Sequence, residues 1–516
     1  MKFEMTIKTS RPLLKAIFFI MVICLVIKSP AGAQKVTYAE PDKEDQRTLD
    51  FEIIGKMNGQ YIIYKSIREN HYIALYDNEM KMVNKHKLSF MPDRVINTEY
   101  LTYPDFFYLF YQYQKRNVVY AMAAKMDAAG NIIGEPKILD TTSINFFASN
   151  KIYSIIPSEN KQYISVIKIN SRNDKNYILG TVLYDKALRQ LHKTQMGIPM
   201  PERNDFLSEF NLDNEGDLVF LRSSGTAQND NINKLTLLTQ KHGADFVSYT
   251  PVPVDNIYLD EVQIKINNAN GQYLVSSFFA KQRRGNIEGL FNYLLDKHSL
   301  KSLANSLNVF NNDLRNEAKG ENNEKAAFND YFLQKIVMRN DGGFLVISES
   351  NYTSSRGTAY NRWDNIYQSP YLNPLDYYYF RSYYPFARGG AFNNNSITRY
   401  YADDILVLSF DAASKIEWTN VIHKSQYDDN TDNFIGFTTI NLGSELDFIF
   451  NILEKRTLLL NDQAILASGQ LERKPVFKNL DKGFDFMPRF GKQVSSREMI
   501  VPCQYRNYIC FAKIEY

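Results

Sequence analysis

Short runs rich in Ile, Val, Tyr and Phe alternate along almost the whole chain with clusters of Asn, Gly, Asp and Lys. Runs of this kind predict β-strands joined by tight turns. Beyond the N-terminal segment no useful stretch keeps the period of an amphipathic helix. The pattern also recurs: Asn58-Gly59-Gln60-Tyr61-Ile62-Ile63 returns as Asn160-Lys161-Gln162-Tyr163-Ile164-Ser165 and as Asn270-Gly271-Gln272-Tyr273-Leu274-Val275. Weaker turn-then-strand starts lie at Asp105-Phe106-Phe107, Glu215-Gly216-Asp217-Leu218, Asp341-Gly342-Gly343-Phe344, Ser444-Glu445-Leu446 and Arg497-Glu498-Met499, making eight in all. Downstream of several starts an apolar run closes on an aspartate, at Asp77, Asp127, Asp185, Asp296 and Asp411. Such a carboxylate accepts backbone N–H groups two residues on, so each aspartate marks a further turn.

A self-similar all-β period of about fifty residues predicts a radial array. The expected fold is all-β, a single closed β-propeller over residues 51–516, with eight blades from the count of starts and seven as the alternative. In architecture the chain resembles the β-propeller superfamily, but it lacks the WD, kelch and sialidase-type signatures that mark particular families. The resemblance implies a fold and leaves function open, because such rings serve as enzymes, scaffolds and receptors alike. The last unit lacks a strand of its own, and Thr48 to Ile54 is expected to supply it. Residues 34–50 read as a charged, solvated lead-in.

Residues 1–33 combine Lys2, Lys8, Arg11 and Lys15, an apolar run from Ala16 to Ile27, and the small-residue site Ala31-Gly32-Ala33. This is the pattern of a cleavable signal peptide, so the mature chain is expected to start at Gln34 and to be exported to a periplasmic, outer-membrane-associated or extracellular location. No later apolar run is long enough for a transmembrane helix. The formal charge of +3 changes sign with the leader: residues 1–33 hold five Lys/Arg and one acid, leaving −1. The charge therefore argues against nucleic acid as a partner, since its binding needs a basic footprint.

Cys503 and Cys510 flank an expected two-residue turn at Arg506-Asn507, which sets them opposite one another and makes a disulfide geometrically possible. The alternative is a pair of half-buried thiols.

The strongest functional signal is an insertion, residues 351–403, that splits the sixth unit. It carries Tyr360, Arg362, Trp363, Tyr367, Tyr378, Arg381, Tyr383, Tyr384, Arg388 and Arg399 among many other tyrosines, with five arginines and no lysine. Tyr, Trp and Arg dominate binding hot spots. The connectors 311–329 and 424–433 are unusually long, and blade topology sends all three elaborations to one face. A non-enzymatic scaffold that holds a protein or glycan of the envelope or exterior on this face is the expected function. The alternative is a carbohydrate-active or related hydrolase with a pocket on the same face. The alternative reading of the insertion is that it packs back on its own ring.

Other chemistry is sparse. Asp428, Asn430 and Asp432 have the alternate spacing that opens a calcium loop, but Asn433 and Thr439 stand where glycine and glutamate are expected, so no cofactor beyond a weak Ca2+ candidate is implied. Six histidines are scattered and no nucleophile elbow or zinc motif occurs, so no catalytic residue is assigned. Asp403 and Asp404, adjacent in sequence, are expected to pair with arginines of the insertion.

Overall fold

A computed structural model of the 516-residue chain describes residues 34–46, 49–144, 151–173, 175–225, 230–319, 328–355, 398–429, 431–454, 457–475, 477 and 483–516. Within them the backbone forms 34 strands, one α-helix and one 3-10 turn. Every strand pairing is antiparallel, and the strands form seven sheets. These divide into eight consecutive meanders of four, whose first strands begin at Asp50, Asn97, Tyr153, Phe206, Tyr258, Tyr331, Phe437 and Phe484; Tyr427–Asp429 adds a short extra strand to the sixth, and the first strand of the eighth is broken into Phe484–Phe486 and Lys492–Ser495. The fourth and fifth meanders share a sheet through the single pair Ile232 and Leu259.

All eight turn signatures fall between the first and second strands of a meander. Gly59 (φ +78°) and Gly342 (φ +89°) supply the left-handed backbone that two of these turns require. The terminal aspartates act as the pattern predicts. Asp77 Oδ1 accepts from the N–H groups of Glu79 and Lys81 at 2.9 and 2.8 Å, and Asp411 Oδ1 does the same for Ala413 and Lys415.

Middle strands are apolar on both faces because each meander packs against its neighbours. Ile62, Ile73 and Leu75 of the first unit meet Phe107, Leu109 and Met122 of the second. Leu274, Leu290 and Leu294 of the fifth meet Phe344, Val346 and Leu406 of the sixth. The first unit also packs on the last: Phe51, Ile53 and Ile63 share a core with Ile500, Ile509 and Phe511.

The eighth meander is completed by Lys35–Tyr38, which pairs with Tyr508–Glu515 in the register Lys35 to Glu515 and Tyr38 to Ala512. Thr48 to Ile54 was the expected donor. Instead Asp50–Met57 is the first strand of the first meander, because Phe51 and Ile53 need the buried face that only that position offers. Nor is the preceding acidic stretch merely solvated. Asp45 is 1% exposed and pairs with Lys65, while Lys85 bridges Asp42 and Glu44 at 2.9 and 2.7 Å.

The connector before the sixth unit holds a helix that the sequence pattern did not predict, Asn312–Lys319. Asn311 Oδ1 accepts the N–H of Leu314 at 2.9 Å, a side-chain cap, and Asp313 and Lys319 suit the two ends of the helix dipole. Leu314 and Ala318, four apart, are buried against the sixth unit. Eight residues are too few to show a helical period in sequence.

Candidate functional site

The sixth unit pairs Phe344–Ser355 with Thr398–Phe410, so the arms of the insertion extend the hairpin and the segment without described structure narrows to 356–397. The stem is stiffened by aromatic and charged contacts. Tyr352 and Tyr401 stack with ring centroids 4.5 Å apart. The Tyr352 hydroxyl donates to Asp403 at 2.9 Å. Beneath them Lys424, its side chain fully buried, holds Glu349 at 2.8 Å and donates to the Ala402 carbonyl and the Gln426 amide oxygen. Burial lowers the Lys424 pKa, opposed by the Glu349 carboxylate.

Of the ten aromatic and arginine residues assigned to binding, Tyr360, Arg362, Trp363, Tyr367, Tyr378, Arg381, Tyr383, Tyr384 and Arg388 lie outside the described residues. Arg399 is described. It grips Asp429 through two hydrogen bonds of 2.7 and 3.0 Å, and its guanidinium lies 4.4 Å from the Tyr427 ring centroid. It is thus a clamp between the stem and the exit connector. Asp403 and Asp404 were expected to pair with arginines of the insertion; Arg356, Arg362, Arg381 and Arg388 lie outside the described residues, and Arg399 pairs with Asp429 instead, while Asp403 takes the Tyr352 hydroxyl and Asp404 takes His423 Nδ1 at 3.1 Å and the Lys424 N–H at 3.0 Å.

In the candidate calcium loop Asn430 lies outside the described residues. Asp428 accepts from the Thr431 hydroxyl at 2.6 Å and Asp432 pairs with Arg489. The two carboxylates therefore have separate protein partners. Another acidic trio, Asp213, Glu215 and Asp217, brings its carboxylates within 4.8 Å. Lys297 contacts two of them and Lys241 the third, which meets their charge from within the protein. Cys503 and Cys510 do lie opposite one another, as free, buried thiols with sulfurs 3.3 Å apart, and burial pushes the Cys503 thiol well up.

A second constellation escaped the sequence reading. Asp50 and Glu52 alternate with Phe51 and Ile53 on the first strand of the first meander, so the two acids share the face opposite the buried one. Asp50 pairs with Ser66 near the end of the second strand, as Tyr331 pairs with Ser350 in the sixth unit. Both acids thus lie at the strand end toward which the insertion emerges. Asp50 stays open to water yet is crowded by protein, which pushes its carboxyl up to about 6 against the opposing Phe51 N–H. Burial also raises Glu52, and Lys492, 3.5 Å away, opposes that rise. Tyr100, on the first strand of the second meander, is within electrostatic reach of both acids. The signal was present as Asp-Phe-Glu-Ile, acids and apolar residues at alternate positions.

At the same strand end a small cavity of about 30 Å³ lies among Asn231, Asp260, Phe279, Arg284, Gly285 and Asn329, room for a water molecule and no more.

No protein-family model and no curated protein matches the chain. Among solved structures it is similar to one from a study of two prolyl endopeptidases, at 8% identity and a TM-score of 0.42, covering 90% of this chain and 56% of that one. A polysaccharide lyase of the PL25 ulvan lyase family aligns at 8% identity and a TM-score of 0.36, covering 80% and 90%. Prolyl oligopeptidase B from Galerina marginata aligns at 9% and 0.40, covering 90% and 56%. The chain thus spans little more than half the length of the two peptidases. These neighbours are enzymes, and they correct the expectation of a non-enzymatic binding scaffold. At such distance they do not extend to a reaction, which has to be read from this chain's own residues.

Proposed function

We propose that the chain is an eight-bladed β-propeller, exported after loss of residues 1–33, that hydrolyses a glycan at the end of the ring bearing the insertion. Ring closure is supported by contacts between first strands of successive units and between the last unit and the first. Gln263 donates to the Leu333 carbonyl, Lys335 to the Thr439 hydroxyl, and Lys492 to the Ile53 carbonyl at 2.8 Å.

The observation that carries the reaction is the Asp50 and Glu52 pair. Glycoside hydrolysis uses two carboxyl groups several ångströms apart, one protonated to release the leaving oxygen and one ionised to act as base or nucleophile. Alternate strand residues lie about 7 Å apart on one face, a spacing of that order. Asp50, at about 6, is the proton donor; Glu52, beside Lys492, is the partner carboxylate. Tyr352, Tyr401 and the exposed Tyr427 present aromatic faces near the same end, suited to stacking on sugar rings.

The test is release of reducing ends from a panel of soluble glycans by protein comprising residues 34–516. Asp50→Asn and Glu52→Gln are each expected to lower turnover by about 10²-fold or more, with melting temperature maintained. Turnover should fall as pH rises through about 6, as Asp50 loses its proton. Absence of cleavage across the panel, or full activity in both variants, rejects the proposal.

A further inference from the structure

The seventh unit buries two carboxyl groups beside a single cation. Asp447 and Asp462, on its second and third strands, are each 0% exposed. Lys474 contacts Asp447 at 2.5 Å and also Glu445 at 2.7 Å, so one cation faces three carboxyl groups. Asp447 and Asp462 contact each other, and neither buried Oδ1 accepts from an N–H donor among the described residues. Tyr516, whose phenol is buried, neighbours Asp462. One further group reaches in: the side-chain amide of Gln34 donates to Asp462 Oδ2. Gln34 immediately precedes the strand Lys35–Tyr38 whose pairing with Tyr508–Glu515 holds it in place.

Gln34 is also the residue that the Ala31-Gly32-Ala33 site would make the first of the mature chain. These two observations are independent, one a feature of the leader and the other of a buried acid pair more than 400 residues away. We infer that the acid pair Asp447 and Asp462 is the socket for a new α-ammonium group at Gln34, created when the leader is removed. Hydrolysis adds water across the Ala33–Gln34 amide, leaving a carboxylate on Ala33 and an amine on Gln34 that takes up a proton. That amine lies one side-chain length from the Asp462 contact. It adds a cation beside the cluster, and so tightens the hold of the strand Lys35–Tyr38 in the last meander after processing.

The socket contains Glu445, Asp447, Asp462, Lys474 and Tyr516 as its titratable groups. Burial and the neighbouring Asp447 push Asp462 up to about 8, the rise a nearby ammonium would reverse. An α-amine stabilised there has its pKa raised above its unfolded value of about 7.7–8.0. Its contribution is complete below that value and is lost as pH rises through the higher folded one.

The experiment compares protein beginning at Gln34, released from a fusion by a protease, with protein extended by Gly-Ser before Gln34. The free terminus is expected to melt a few degrees higher at pH 7, with the gap closing above the raised amine pKa. Asp462→Asn should abolish the gap. The α-amine pKa, read by NMR after reductive 13C-methylation of the wild-type protein, is expected well above 8. This measurement decides the matter even where the variant fails to fold. Equal melting of both forms together with an ordinary amine pKa overturns the inference. So does exported protein whose mass is one ammonia lighter than expected, since cyclised Gln34 carries no charge.

Discussion

Asp50 and Glu52 show how a single residue position can carry information that a count of motifs misses. On a strand with one buried face, acids at alternate positions are ordinary surface residues unless the other face is enclosed by neighbouring units. Here protein crowds that face, and the carboxyl of Asp50 is pushed up to about 6 while remaining open to water. A carboxyl raised in the folded state favours folding most below its unfolded pKa, and that advantage is lost as pH rises through about 6. Asp50→Asn should therefore melt at or above wild type at pH 8 and match it near pH 4, although it loses activity. Thermal melts at the two pH values check this, and a lower melting point at pH 8 would show that Asp50 is structural.

At the scale of the element, the hairpin of the sixth unit separates what the sequence could and could not reveal. Its strands, its turn aspartate and the existence of a long insertion were legible from apolar runs and turn residues. The contacts that organise its base were not, because they join residues far apart in sequence. Asp403 faces Tyr352, Arg399 faces Asp429, and Lys424 meets Glu349 with both buried. The short helix Asn312–Lys319 was hidden for another reason: its period is too brief to stand out, and its cap is a single asparagine. Two expectations follow from the stem. Replacing residues 356–397 by a two-residue turn should leave the melting temperature within a few degrees, since the stem contacts made among the described residues lie outside the removed segment. Lys424→Ala should cost about 3–5 kcal/mol by leaving Glu349 buried without its cation. Denaturant unfolding measures that loss, and Lys424→Met combined with Glu349→Leu should recover most of it.

Across the whole molecule the repeat was the readable part. Eight turn-and-strand starts found their places between the first and second strands of eight meanders, because each unit solves the same local packing problem. How the units are joined end to end was misread. The donated strand is Lys35–Tyr38, an edge strand with little apolar content of its own, held by its ladder and by Tyr38, whose ring packs tilted against Phe484 with centroids 4.4 Å apart. Removing residues 34–39 is expected to lower the melting temperature by several degrees and to expose the edge of Tyr508–Glu515. Such an edge invites pairing between molecules, so size-exclusion chromatography should show concentration-dependent association in the truncated protein alone.

The ladder between Lys35–Tyr38 and Tyr508–Glu515 has a mechanical consequence. It is antiparallel, and Gln34 and Tyr516 sit at the same end of it. Tension applied across those two residues, by anything attached beyond them, loads the hydrogen bonds one at a time, as a zipper is opened, rather than all together in shear. The last meander would therefore yield first at this ladder under low force, with the other seven meanders still folded.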